Sequence, residues 1–383
     1  MSHRSRAMGV AGASLALTFA LSALMGAAGP SVLAQEGTPV SGVGTEADLT
    51  AEPWTWPVDY VVDGKKQRAM YQPIDPAQIT QPWNICVAFP HLKDPYWLGA
   101  NFGIAEEIRR DGVKMQLFEA GGYTELDKQL SQMDDCVAQG AQAIILGAIS
   151  AEGSNAKVEE IVAKGIPVID FVNGVSSPDV SAHARVSFYD MGRTAGQYMV
   201  DNLVSGDEPV SVAFFPGPQG AGWTDTAYQG FLDATEGTPI TVVDTKWGDT
   251  GRDIQLRLIE DELQANPDID FIVGNAQASV SAVQAVREAG LEDQIKILAF
   301  HQNPPVYDGI AAGDILAASN DHTVIQGRIA VDQAVRLLEG QTLEPSNDVG
   351  PVITVMTPEN LKTEFVWEST FAPKDYKPEF TID

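Results

Sequence analysis

Cysteine is scarce in this 383-residue chain: Cys86 and Cys136 are the only two. That excludes a disulfide-rich scaffold and any zinc or redox site built on C-x-x-C pairs. The five histidines are dispersed and never at metal-ligand spacing, so no metal and no cofactor is expected. Also missing are a G-x-S-x-G elbow, a P-loop and an H-E-x-x-H helix, the compact signatures of common hydrolases and nucleotide enzymes. Basic residues are few, 24 against 52 acidic ones, for a net charge of -28. Such a surface repels nucleic acid and anionic lipid. The acids are scattered and not gathered in one block, so solubility explains them better than steering of a cationic ligand. Past the first 34 residues no stretch approaches the about 18 consecutive apolar residues that span a bilayer.

Those first 34 residues carry Arg4 and Arg6, an almost uncharged run from Met8 to about Met25, and the small-residue pattern Ser31-Val32-Leu33-Ala34. This reads as a secretory signal, with a membrane anchor as the alternative. A soluble, exported protein in the periplasm is the expectation. Residues 35–82 read as a flexible leader followed by a β-hairpin, because two β-prone runs, Trp54 to Val62 and Gln67 to Ile74, flank Asp63-Gly64, a strong hairpin signal.

From Asn84 onward, short aliphatic runs alternate with helical stretches. Ile85 to Phe89, Met115 to Glu119, Ala143 to Leu146 and Pro167 to Val172 precede helices expected over 98–111, 125–139 and 154–164. After Ala184 to Ser187 and a helix over 191–204 the pattern restarts, with strands near 210–215, 240–245, 271–273, 297–300 and 315–318. Near-continuous apolar strands spaced by helices indicate parallel sheets covered on both faces. The expected fold is α/β: two doubly wound parallel-sheet lobes joined by a hinge, with an N-terminal β-hairpin extension. The first lobe takes residues 83–189 and 320–345, the second 190–319 and about 346–360, and 361–383 form a C-terminal tail. Cys86 in the first strand and Cys136 in the second helix fall on elements that can be neighbours. A disulfide is expected there, with two buried thiols as the alternative.

Ligands of open α/β sheets bind outside the carboxyl ends of the strands. There the chain places Asp94, Tyr96 and Trp97, then Tyr123, Phe188 and Tyr189 from the first lobe. The second contributes Trp223, Trp247, Asn275 and His301, and Asp321 lies where the chain recrosses. The first strand's turn, Phe89-Pro90-His91-Leu92, has no glycine to cradle a phosphate. The turn from Gly217 to Gly222 does not fit G-x-G-x-x-G, so it reads as a tight turn or part of the cleft. Faces of tryptophan and tyrosine suit a methylated ammonium group at roughly 0.5–2 kcal/mol each. An N-oxide would also need a donor, from an indole, a phenol or an imidazole. A sugar remains open as well, since Asp249, Asn275, Asn303 and Asp321 could supply the polar groups it demands.

The strings KDPYW at 93–97, EAGGY at 119–123, AIILGA at 143–148, FYDMG at 188–192, PGPQ at 216–219, QGF at 229–231 and WGD at 247–249 carry a resemblance. Together they resemble the type I periplasmic binding proteins, and within them the sensor branch that serves the trimethylamine N-oxide reductase system. The resemblance implies a non-enzymatic sensor that holds trimethylamine N-oxide or a similar methylated solute between its lobes. It also implies a partner, the periplasmic domain of a membrane histidine kinase, and it matches Tyr96 and Trp97 to aromatic cage positions. His301 departs from the family's tyrosine, and Trp223 from a position commonly small; Phe188 and Asp190 stand in place of tryptophans. The rival readings are a binding protein that delivers a sugar or other nutrient to an ABC permease, and a secreted hydrolase on the same scaffold.

Overall fold

A computed structural model of the chain describes Leu49 and residues 52–383. The expected signal segment and most of the leader lie outside the described residues. The elements run β1 (Trp56–Val62), β2 (Lys65–Tyr71), β3 (Asn84–Phe89), α1 (Pro95–Asp111), β4 (Lys114–Glu119), α2 (Leu126–Ala138), β5 (Ala143–Leu146), α3 (Asn155–Val162), β6 (Val168–Phe171), β7 (Ala182–Ala184) and α4 (Phe188–Asn202). They continue as β8 (Val210–Gly217), α5 (Trp223–Thr235), β9 (Ile240–Trp247), α6 (Arg252–Ala265), β10 (Phe271–Gly274), α7 (Ala276–Ala289), β11 (Lys296–Ala299), α8 (Pro304–Ala312), β12 (Ala318–Asn320) and α9 (Thr323–Leu338). The chain ends with β13 (Asp348–Pro351), β14 (Thr354–Met356), α10 (Trp367–Thr370) and β15 (Thr381–Ile382).

Among the described residues two sheets result, one of nine strands in the order β15-β4-β3-β5-β6-β7-β13-β1-β2, the other of six in the order β14-β12-β11-β10-β8-β9. Their interiors are parallel, with antiparallel strands only toward the edges. Strand β3 explains the layering. Ile85, Val87 and Phe89 enter the core shared with α1 and α9, while Cys86 and Ala88 enter the core under α2 and α3. A period of two thus feeds both faces, and each buried aliphatic or aromatic side chain contributes roughly 1.5–3 kcal/mol. Because Cys86 points toward α2, it meets Cys136, and the two form a disulfide with Cα atoms 5.8 Å apart.

The hairpin turn has Asp63 and Gly64 both at positive φ, 51° and 71°, the geometry that matches strand twist in a two-residue loop. The hairpin joins the first sheet directly, since β1 pairs with β13. Helices α4 and α5 approach so closely that a Cβ on Gly192 would lie 1.9 Å from the Ala227 carbonyl oxygen. Glycine is required there, and it fixes α4 to the second lobe.

The chain crosses between lobes near Ser187, near Asp321 and between β13 and β14. The third crossing corrects the expected boundary: residues 346–360 do not form one piece of the second lobe, because β13 pairs with β7 in the first sheet and β14 with β12 in the second. The expected tail is a strap that returns to the first lobe, where β15 pairs with β4 and Asn101 holds Glu379 through both its backbone groups. Helix α8 was not foreseen. Pro304 and Pro305 look like helix breakers, yet at a helix start proline is favoured, and the Asn303 side chain accepts from Val306 N at 3.0 Å as its cap. The strand expected at 315–318 begins at Ala318, although Leu316 N already donates to Ile297 O.

Candidate functional site

The carboxyl ends of the two sheets face each other and meet around a small hollow. Its walls are His91, Asp94, Tyr96, Trp97, Tyr123, Val172, Asn173 and Phe188 from the first lobe and hinge, with Trp223, Thr250 and His301 from the second. With the lobes as they stand the hollow is nearly shut, at about 10 Å³, room for roughly one water molecule, so a larger ligand needs the lobes to part.

Local chemistry aims these groups. Asp94 is the N-cap of α1, its Oδ1 accepting from Tyr96 N at 3.0 Å, and Pro95 occupies the first helical position. The helix therefore starts three residues before the expected Leu98, with Tyr96 and Trp97 in its first turn. Trp97 packs on Phe89 with ring centroids 4.8 Å apart. Tyr96 lies 4.7 Å from His301 across the cleft, and its hydroxyl donates to Asp321 Oδ2 at 2.6 Å. Burial and the Asp321 charge both raise its pKa, so Tyr96 remains a neutral donor. The glycine-rich turn is part of the cleft: Gly217, Gly220 and Gly222 take positive φ, and the turn delivers Trp223 to the wall. Phe188 and Trp223 sit 5.4 Å apart, and Tyr123 and Trp223 6.1 Å.

Electrostatically the hollow is a ring cage with one carboxylate. Besides Tyr96 N, Asp94 Oδ1 accepts from Asn303 Nδ2 of the second lobe at 3.3 Å. Among the described residues no lysine or arginine pairs with Asp94. Both histidines on the wall are neutral at physiological pH. Burial pushes His91 down to about 4, against the pull of Asp94, and burial likewise lowers His301. His301 Nδ1 accepts from Ala276 N at 3.2 Å, so the neutral ring carries its proton on Nε2. At the rim Lys93 and Asp249 pair at 3.0 Å, joining the lobes.

Of the residues expected at the site, Asp94, Tyr96, Trp97, Tyr123, Phe188, Trp223 and His301 line the hollow, and four do not. Tyr189 is one helical step past Phe188, about 100° around the axis, and turns away to donate to Asp233 Oδ2 on α5 at 2.7 Å. Trp247, at the end of edge strand β9, packs edge-on against Tyr228. Asn275 is the cap of α7, accepting from Gln277 N and Ala278 N. Asp321 stands behind the wall, taken up by Tyr96, Gln302, Thr323 and Gln326. His91, Val172, Asn173 and Thr250 were missed. His91 follows a strand end at once, which was the available signal; Val172 reaches the wall through a positive φ of 62° that no pattern announces. Among the described residues no group of three His, Cys, Asp or Glu side chains could hold a metal, and no helix is long and apolar enough to cross a membrane.

Comparison with known proteins places this geometry. The periplasmic binding protein domain family matches residues 85–342. The periplasmic protein TorT of Escherichia coli strain K12 is 36% identical over 312 residues, 82% of this chain and 88% of that protein. The ribose import binding protein RbsB of Bacillus subtilis strain 168 is 23% identical over 300 residues, 76% of this chain and 93% of that protein. Among solved structures, an ABC transporter solute binding protein from Bradyrhizobium sp. BTAi1 with bound Bis-Tris has a TM-score of 0.74 at 48% identity, covering 86% of this chain and 99% of its own. A chain of the complex between the TorS sensor domain and TorT in the presence of TMAO, trimethylamine N-oxide, has a TM-score of 0.71 at 31% identity, covering 78% and 99%.

Proposed function

The chain belongs to the periplasmic binding protein family, and from that premise we propose that it is a periplasmic sensor for a small methylated amine oxide such as trimethylamine N-oxide. The observation that carries this reading is the ring-walled hollow containing the Asp94 carboxylate without a cationic partner. A methylated nitrogen carries its positive charge on its methyl groups, and these are attracted by the faces of Tyr96, Trp97 and Trp223 and by the carboxylate. The oxide oxygen accepts hydrogen bonds, and Tyr123 and His301 are donors within the same walls.

The polar side chains that a sugar would need are occupied elsewhere. Asp249 pairs with Lys93, Asn275 caps α7, Asn303 caps α8 and reaches Asp94, and Asp321 accepts from four neighbours. Breaking those bonds to hold sugar hydroxyls would leave buried groups unsatisfied, at about 1–3 kcal/mol each. The relative crystallised with Bis-Tris, a hydroxylated tertiary amine, supports an ammonium ligand. The TorS–TorT complexes support signalling through the periplasmic domain of a histidine kinase. Ligand capture favours the closed arrangement of the lobes, and the partner reads the closed or open surface.

A second reading, delivery of the same kind of ligand to an ABC permease, is favoured by the description of the 48% identical relative as an ABC transporter solute binding protein. Calorimetric titration with trimethylamine N-oxide and with a panel of pentoses tests the ligand class. Heat with the oxide supports the proposal, and heat with a pentose alone rejects it. Co-elution with a histidine kinase periplasmic domain then separates sensor from importer.

A further inference from the structure

Two ring nitrogens on the wall, His91 Nδ1 and Trp223 Nε1, have no partner among the described residues, and only the second is bound to donate. Trp223 is almost wholly buried, at 4% exposure, and its Nε1–H finds no acceptor among the described residues. An indole nitrogen can only donate, so no rearrangement of its own proton satisfies it. The ring is held from several sides by Phe188 at 5.4 Å, His301 at 5.8 Å and Phe300 at 6.3 Å, which leaves it little freedom to turn toward another acceptor.

Its position relative to the lobes matters as much. Trp223 opens α5 in the second lobe directly after Gly222. A Cβ on Gly222 would lie 2.8 Å from the Ala151 Cβ of the first lobe, so the lobes touch at this point. Facing Trp223 at 6.1 Å is Tyr123 of the first lobe. The Tyr123 oxygen accepts from Asn173 Nδ2 at 3.0 Å, and no acceptor among the described residues takes its own proton. The indole N–H approaches the phenol oxygen as a weak donor and so opposes the rise that burial imposes on the Tyr123 pKa, but the pair falls short of full hydrogen-bond geometry. Two uncommitted donors, one from each lobe, therefore converge on one corner of the hollow only when the lobes are closed.

We infer that the Trp223 Nε1–H is the second lobe's specificity determinant for an acceptor oxygen on the ligand, and that this contact ties oxide recognition to closure. The inference rests on the amine oxide reading above. A ligand with a methyl in place of the oxygen would still meet the rings, but it would leave the buried donor unsatisfied. Sites built to hydrogen-bond a ligand group discriminate strongly against the analogue that lacks it.

The test compares trimethylamine N-oxide with tetramethylammonium, its analogue with a methyl for the oxygen, by calorimetry on the full mature chain and on Trp223→Phe. The wild type is expected to prefer the oxide. In Trp223→Phe the ratio of oxide to tetramethylammonium affinity falls by about tenfold or more; both ligands lose the indole face alike, and only the oxide loses the donor. An unchanged preference overturns the assignment of Trp223 and leaves the amine oxide reading standing. Absence of oxide binding by the wild type overturns that reading and the assignment with it. Wild-type protein labelled with ¹⁵N-tryptophan gives a second measurement that does not depend on the variant folding. The oxide moves an indole N–H resonance downfield, tetramethylammonium does not, and the same resonance persists in Trp97→Phe; no such resonance contradicts the inference.

Discussion

The Tyr96 hydroxyl donates to Asp321 at 2.6 Å, so a ring on the wall of the hollow is fastened to the second crossing between the lobes. Asp321 is fully buried and has no lysine or arginine pairing with it among the described residues; its charge is held by hydroxyl and amide donors alone. Recognition and hinge therefore share a residue. Tyr96→Phe keeps the ring and removes one donor from a buried carboxylate. It is expected to lower unfolding free energy by about 1.5–3 kcal/mol in chemical denaturation, with a smaller loss of ligand affinity than any change at Trp97. Unaltered stability would mean the hydroxyl is not holding the hinge.

Trp97→Ala should lower affinity for the methylated ligand about tenfold or more. The residue also packs on Phe89, Tyr96 and His91, and is 3% exposed, so the same change should cost about 3–5 kcal/mol of stability. Titration calorimetry and a denaturation curve on the same sample check both. Near-unchanged binding by a folded variant would remove Trp97 from the site.

The buried histidines should withdraw stability on acidification, while the buried Asp111 carboxyl, pushed up to about 8, contributes the opposite way. Burial lowers His91 and His322 to about 4 and also lowers His301, whereas an unfolded histidine titrates near about 6.5. The unfolded chain thus binds more protons between these values, and stability is present above about 6.5 and is lost as pH falls toward about 4. Around His91, Asp94 and Asp249 pull the pKa back up, while Lys93 adds to the lowering. By denaturation midpoint, His322→Asn should lose less stability than wild type between pH 7.0 and 5.5; an identical change in both proteins would contradict the burial of that ring.

Reduction of the Cys86–Cys136 bridge, which spans 50 residues, should destabilise the first lobe by about 4 kcal/mol through the freedom returned to the unfolded chain. Intact mass before and after reduction tests the bridge itself, since an unchanged mass means it was never formed.

Much of this architecture was legible because the signals were local. Asp63-Gly64 specified the hairpin and alternating strands and helices specified the lobes; the Asp94-Pro95 pair held the start of α1, three residues before the expected Leu98. What escaped was set by distant partners. Strands β13, β14 and β15 are two to four residues long and exist because other strands offer edges to them. The strap from 361 to 383 carries no pattern that says which lobe it will join. At the site, strand-end position selected the right neighbourhood but not the facing side. Phe188 and Tyr189 stand side by side in sequence, with Tyr189 the more favoured for the ligand, and only helix phase puts Phe188 on the wall and Tyr189 on the surface. Asn275 looked like a binding group for the same chemical reason that makes it a good cap: a short side chain with an acceptor oxygen.

A crystal structure of the protein grown with trimethylamine N-oxide tests the central claim most directly. The account predicts closed lobes, the methyl groups among Tyr96, Trp97 and Trp223, and the nitrogen nearer to the Asp94 carboxylate than to any lysine or arginine. An empty hollow with the compound bound elsewhere, or a sugar from the medium seated there in its place, would contradict it.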